Sequence, residues 1–319
     1  MRMEESAKAA LRNIVNAVPG EKAVIFCDDV QRDIGDIFAK ACLDLGLWTK
    51  LVILKTSDEV RREMGDGLKE LLVLQQPHLC VNIFRHMDEE TSFRGSFVKF
   101  ERSIGARVGH CPGITKDMLT DGALSLTDHE YREMFNFGER LRWVLKGTES
   151  VHVTSPYGAD FTLSTKGREF VVERTNIPCG EVMCIPPIGN SFNGKLVCTA
   201  GGADRLYRDT PVTILSKNGL AGEIFCEDEE ILRRVKAELD RDEGARYLGE
   251  FAFGINPKAR LVDQFLEAEK VIGTIHVAFG GEEYPSKTHI DLLVENPTIE
   301  ILKEDGTSIL VMEGGRFKI

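Results

Sequence analysis

The feature that most restricts the fold is a change of periodicity at Lys146-Gly147-Thr148. Before it, helical and strand patterns alternate. Leu11, Ile14, Val15 and Val18 recur at the spacing of one helix face, and Pro19-Gly20 ends that run. Residues 23–27 read as a short buried strand. Ile34, Ile37, Phe38, Ala41 and Leu45 outline a second helix closed by Gly46. Strands are expected at 50–56, 79–84 and 106–110, with a charged helix over 58–74. Thr127 and Glu130 have the spacing of a capping box for a helix ending near Leu145. Strands separated by helices imply βαβ crossovers and a parallel sheet. After Gly147, short apolar runs punctuated by Gly, Pro and Asn read as closely spaced strands, with one clear helix near 228–240. The chain has 319 residues, more than one core comfortably serves. The expectation is therefore an N-terminal α/β domain with a parallel sheet (1–146), followed by a β-rich α+β metal-binding domain (147–319).

Charge and composition exclude several function classes. The net charge is −11, with the acidic excess concentrated in the second half, so nucleic-acid phosphates and anionic lipids are repelled. No apolar run is long enough to span a membrane. The start, MRMEESAKAALRNIV, lacks the basic-then-apolar order of a signal peptide. The eight cysteines are scattered singly, which suits reduced thiols and a cytoplasmic location. No glycine fingerprint for dinucleotides follows the first strand, and no phosphate-binding loop occurs. In an open parallel sheet, ligands sit beyond the carboxyl ends of the strands. Here Asp28, Asp29, Arg85, His86 and His110 lie at those ends, as a substrate-facing rim or as ordinary solvated loop residues.

The second half carries the chemistry. His289 and Asp291 are two apart, alternating with Ile290, Leu292 and Val294, so a strand would turn imidazole and carboxylate to one face and aliphatic groups to the other. His276 ends the preceding strand-like run, and a return across the intervening loop would bring it to that pair, with Glu282, Glu283 and Tyr284 available from the loop. Glu181 and Glu250 each follow a glycine in apolar surroundings, where a carboxylate is costly unless paired or metal-bound. Together these residues describe one metal centre assembled from distant segments. Imidazole with carboxylate suits zinc, cobalt, manganese or iron(II). The competing signatures, a zincin helix, a Cys-rich zinc site and a serine-hydrolase elbow, are absent from the sequence.

The segments SPYGADFTLSTKGR (155–168), NIPCGEV (176–182), YLGEFAFGINP (247–257), HVAFGG (276–281) and HIDLL (289–293) resemble the thermophilic metallo-aminopeptidases of the aminopeptidase T and aminopeptidase S type, often called leucyl aminopeptidases. The resemblance covers residues 150–319. It implies two divalent ions, zinc or cobalt, held by Glu181, Glu250, His276, Tyr284, His289 and Asp291, with one glutamate able to bridge. It implies peptide hydrolysis from the N-terminus by a metal-activated water, and a homodimer, while the nearby acids Glu282 and Glu283 are the candidates for general base. Ring-cleaving dihydroxypyridine dioxygenases share that fold and bind one iron(II) through two histidines and a carboxylate, a role open to His276, His289 and Asp291. A non-catalytic metal- or ligand-binding relative is the third alternative.

Overall fold

The alternating pattern of the first half forms a parallel sheet. The computed structural model describes residues 1–202, 205–281 and 283–319, apart from the side chain of Asp88. By its internal packing the chain divides into two compact units, Met1–Glu133 with Arg174–Cys179, and Met134–Glu173 with Gly180–Ile319. The change of periodicity at Gly147 is a turn between a helix and a strand. The division itself falls within that helix, between Glu133 and Met134.

The first unit contains α1 (Met3–Asn13), β1 (Lys22–Asp28), α2 (Arg32–Asp44), β2 (Trp48–Leu54), α3 (Asp66–Gln75), β3 (Leu79–Ile83), α4 (Thr91–Ser103), β4 (Arg107–His110), α5 (Lys116–Thr120) and the start of α6 (Asp128–Leu145). Its strands pair in parallel in the order β2-β1-β3-β4. One core cluster gathers Phe26, Phe84, Phe93 and Phe97, with ring centroids 5.0–5.4 Å apart in mostly edge-to-face contacts. The capping box forms: the Thr127 N–H donates to Glu130 Oε2 at 2.8 Å, and the Glu130 N–H to Thr127 Oγ1 at 3.2 Å.

One expectation is corrected here. The helix expected over 58–74 begins only at Asp66. Upstream, the Arg61 backbone N–H donates to Glu90 Oε1, and its guanidinium grips Asp28 and Glu90. Those bonds replace a helical ladder. The same network ties up Asp28 and Arg85 of the candidate rim, while Asp29, Arg85, His86 and His110 are half-buried. Asp28 and Glu90 are fully buried, and Arg85 also donates to both. His110 is half-buried, and the burial of its ring, with Arg94 and Arg102 adding, lowers its pKa to about 3 and keeps it neutral.

The second unit is antiparallel. After α6 come β5 (Thr148–Thr154), β6 (Asp160–Ser164), β7 (Val171–Val172), β8 (Glu181–Cys184), β9 (Asn193–Cys198), β10 (Val212–Lys217), β11 (Leu220–Phe225), α7 (Glu229–Leu239), β12 (Leu248–Gly254), α8 (Phe265–Ala268), β13 (Ile275–Phe279), β14 (Ile290–Val294), β15 (Thr298–Lys303), β16 (Ser308–Glu313) and β17 (Arg316–Phe317). Among the described residues they make an eight-stranded sheet, β11-β10-β9-β6-β5-β15-β16-β17, and a five-stranded sheet, β14-β13-β12-β8-β7. The mixed α/β class is as expected. All eight cysteines are free thiols, seven of them buried. No helix among the described residues is long and apolar enough to cross a membrane.

Glu101 of α4 provides a test of the first unit. It is fully buried with Asn82 as donor, and burial pushes its carboxyl up to about 8. Between about 4.5 and about 8 the folded chain holds a proton that the unfolded chain has released, so stability is lost as pH rises through that window. Glu101→Gln keeps the acceptor and removes the titration. Thermal melts should show the variant gaining a few degrees over wild type as pH rises from 5 to 8. A difference independent of pH would contradict the assignment.

Candidate metal centre

The ladder register of the five-stranded sheet builds the site. Residues directly opposite in an antiparallel ladder share a face. Gly254 of β12 pairs with Glu181 of β8, and Ala252 with His276 of β13. Glu250 pairs with Ala278, which pairs with Asp291 of β14. Glu181, Glu250, His276 and Asp291 therefore stand on one face, with Gly254, Ala252 and Ala278 as the small residues between them. The opposite face is apolar: Phe251, Phe253, Ile275, Val277, Phe279, Ile290, Leu292 and Val294 are all buried. The alternation expected around Asp291 is thus real, and His289 joins from just before β14.

The donor atoms converge. His276 Nε2 lies 3.3 Å from Glu250 Oε1, 3.5 Å from Glu181 Oε1 and 3.9 Å from Asp291 Oδ1. His289 Nε2 lies 3.4 Å from Glu250 Oε2 and 3.2 Å from Asp291 Oδ1. Metal bonds of about 2.0–2.2 Å put neighbouring ligand atoms roughly 3–3.6 Å apart, so most of these separations match edges of a coordination shell. Two groups with metal-ligating geometry result, Glu181–Glu269–His276 and Glu250–His289–Asp291, the donors of each lying within 4.8 Å of one another. Glu181 Oε1 is buried with no hydrogen-bond partner, as is His276 Nδ1. A buried oxygen without a hydrogen-bond partner, facing an imidazole, suits a ligand of a divalent cation. The first group is largely buried, whereas the His289 side chain is 38% exposed and that of Asp291 22%, so solvent reaches the second group.

Glu269 and Lys270, from the segment after α8, complete the cluster and were not expected from the sequence. The Lys270 ammonium donates to Glu181 Oε2 at 2.6 Å and Glu269 Oε1 at 2.5 Å, and its side chain is 1% exposed. Burial opposes its charge, but Glu181, Glu269 and Glu173 hold its pKa above the usual lysine value. Burial pushes the Glu269 carboxyl up to about 8, against the pull of Lys270. Burial also works against Glu250, yet its bonds to His276 and His289 hold it well below the carboxylate range. Burial lowers the His276 pKa, but Glu250, Glu181 and Asp291 outweigh it and bring it to about 9. Asp291, foremost, raises His289 well above its ordinary value. The only sequence signal for the added pair is a charged Glu-Ala-Glu-Lys run set directly before the aliphatic β13 approach.

The remaining expected site residues lie differently. The Tyr284 ring is stacked on Tyr247, centroids 3.9 Å apart and planes 9° from parallel. Glu283 Oε2 accepts from Arg168 at 2.8 Å and from the Gly189 N–H at 3.4 Å. Glu282 falls outside the described residues.

No protein-family model matches this chain, and no curated protein sequence does. Solved structures match in three dimensions. The chain is similar to the 2,5-dihydroxypyridine dioxygenase of Pseudomonas putida, with a TM-score of 0.71 at 16% identity, over 99% of this chain and 96% of that one. It is also similar to the aminopeptidase AmpT of Thermus thermophilus, with a TM-score of 0.68 at 17% identity, over 99% of both chains. Similarity at these identities establishes the fold, an aminopeptidase-like two-domain α/β arrangement. The two neighbours differ in reaction and lie at similar scores, so the reaction has to be argued from the site.

Divalent metal should stabilise the protein by linkage. A ligand at a hundred times its Kd adds about 2.7 kcal/mol. Zinc or manganese should therefore raise the melting temperature of wild type by several degrees and leave Asp291→Asn nearly unchanged. Identical melting with and without metal in wild type would reduce the cluster to a structural ion-pair network.

Proposed function

We propose that this chain is a metal-dependent hydrolase that removes residues from the N-terminus of peptides. The observation that supports this most is the disposition of Glu250, one carboxylate oxygen near Nε2 of each imidazole, as expected of a carboxylate shared between two cation positions. Glu250, His289 and Asp291 would hold one ion, and Glu181, Glu269 and His276 would form the second cation position, shared with the Lys270 ammonium. Zinc, cobalt and manganese all suit such donors. A bound divalent ion supplies a Lewis acid and a water able to lose its proton near neutral pH. The exposed edge at His289 and Asp291 is where a substrate carbonyl would approach. Buried carboxylates behind it would favour the positive α-amine of a peptide. Glu283 would need to leave Arg168 to act as general base. A second copy of the chain is the partner this reading implies.

A second reading is a ring-opening iron(II) dioxygenase acting on a dihydroxypyridine-like ring. Lys270 favours it, because two carboxylates of the first group already hold a cation, leaving His276, His289 and Asp291 as a two-imidazole, one-carboxylate set for a single ion.

The deciding assay uses purified protein with zinc, cobalt or manganese and an N-terminal amino-acid amide. Hydrolysis is expected in wild type, falling by orders of magnitude in Glu250→Ala with an unchanged circular-dichroism spectrum. Retained turnover in that variant would sink the hydrolase reading. Oxygen uptake with iron(II) and a dihydroxypyridine, without amide hydrolysis, would establish the second reading.

A further inference from the structure

The Lys270 ammonium sits inside a candidate ligand group rather than beside it. Its two hydrogen bonds take one oxygen each from Glu181 and Glu269, both members of the group completed by His276. Its backbone is pinned: the Lys270 N–H donates to the Glu267 carbonyl at 3.1 Å, and its carbonyl accepts from the Asn256 N–H at 2.8 Å. With its side chain 1% exposed, the ammonium has no route to water without opening the segment. A lysine held this way is a monovalent cation attached to the chain.

The other group lacks such a resident. Glu250, His289 and Asp291 face one another and the two imidazoles, with no lysine or arginine among their ion pairs in the described residues. Glu181 Oε1, the oxygen Lys270 leaves unbound, is buried without a hydrogen-bond partner and lies 3.5 Å from His276 Nε2. Lys270 thus draws one oxygen of Glu181 away and leaves the other directed at the imidazole.

From this geometry we infer that Lys270 makes the two cation positions unequal: the chain holds one divalent ion tightly at the Glu250–His289–Asp291 group, and Lys270 stands in for the second ion at the Glu181–Glu269–His276 group. A divalent ion at the first group would share its carboxylates with an ammonium that cannot leave, so like charges would face each other in a poorly solvated site. That repulsion makes the second ion weaker on the order of a hundredfold or more. The inference rests on the metal-centre part of the proposed function and not on which reaction the centre performs.

Equilibrium dialysis against manganese, then against zinc, followed by elemental analysis of the protein, tests this without an activity assay. Wild type should retain one ion per chain at free-metal levels where Lys270→Met retains two. Should Lys270→Met fail to fold, Asp291→Asn decides the question with Lys270 in place. It should lose the tightly held ion, because the lysine-filled group cannot take it over. Two ions of similar affinity in wild type, or one tight ion persisting in Asp291→Asn, would overturn the inference while leaving the metal centre standing. No metal in wild type or Lys270→Met would overturn the centre and this inference together.

Discussion

Four carboxylates gathered on one side of a sheet must be kept from repelling one another, and the organisation of the second unit follows from how that is done. Two unit charges 4 Å apart interact by roughly 4 kcal/mol at an effective dielectric of 20, so Glu181, Glu250, Glu269 and Asp291 could not all be ionised in this site unaided. Two imidazoles and one ammonium stand among them. Lys270 is the covalently supplied part of that compensation and sits at the most deeply buried end. The more exposed end, at His289 and Asp291, depends on protons or on a bound ion.

The backbone makes room for this chemistry by omission. Along the polar face the positions between the ligating groups on β12 and β13 are the small residues Ala252, Gly254 and Ala278. A Cβ on Gly254 would meet the Val271 carbonyl oxygen at 2.2 Å, and one on Gly249 the Gly280 carbonyl oxygen at 2.1 Å. These glycines let neighbouring segments close down on β12, and the first of them brings the Lys270 segment near the sheet. The apolar face of the same strands provides the rigidity, with Phe251 and Phe253 in edge-to-face contact at 5.1 Å.

The parts legible in the sequence are those with local causes. Strand positions β1 to β4 follow apolar runs, and the capping box at Thr127 and Glu130 is set by a three-residue spacing. Asp291 faces away from Ile290 and Leu292 because the side-chain period of a strand is two, and His289, just before β14, reaches it at 3.2 Å. Elsewhere, local signals mislead or fall silent. Residues 58–65 have helical composition, but Arg61 is claimed by the buried acids Asp28 and Glu90, a contact between distant segments. Helix α4 carries Gly95 and three serines that weaken its propensity, and it is held by Phe93 and Phe97 packing into the core.

The sequence by itself determined most of the strands, the parallel sheet of the first half, the strand-rich second half, and that histidines and carboxylates at 181, 250, 276, 289 and 291 lie among apolar neighbours. Each of those follows from spacing along a single segment. Only the tertiary structure decided that Glu269 and Lys270 belong with them and that Tyr284 spends its ring on Tyr247. Those outcomes depend on cross-strand register and on the path of loops, where residues far apart in the chain compete for the same charge.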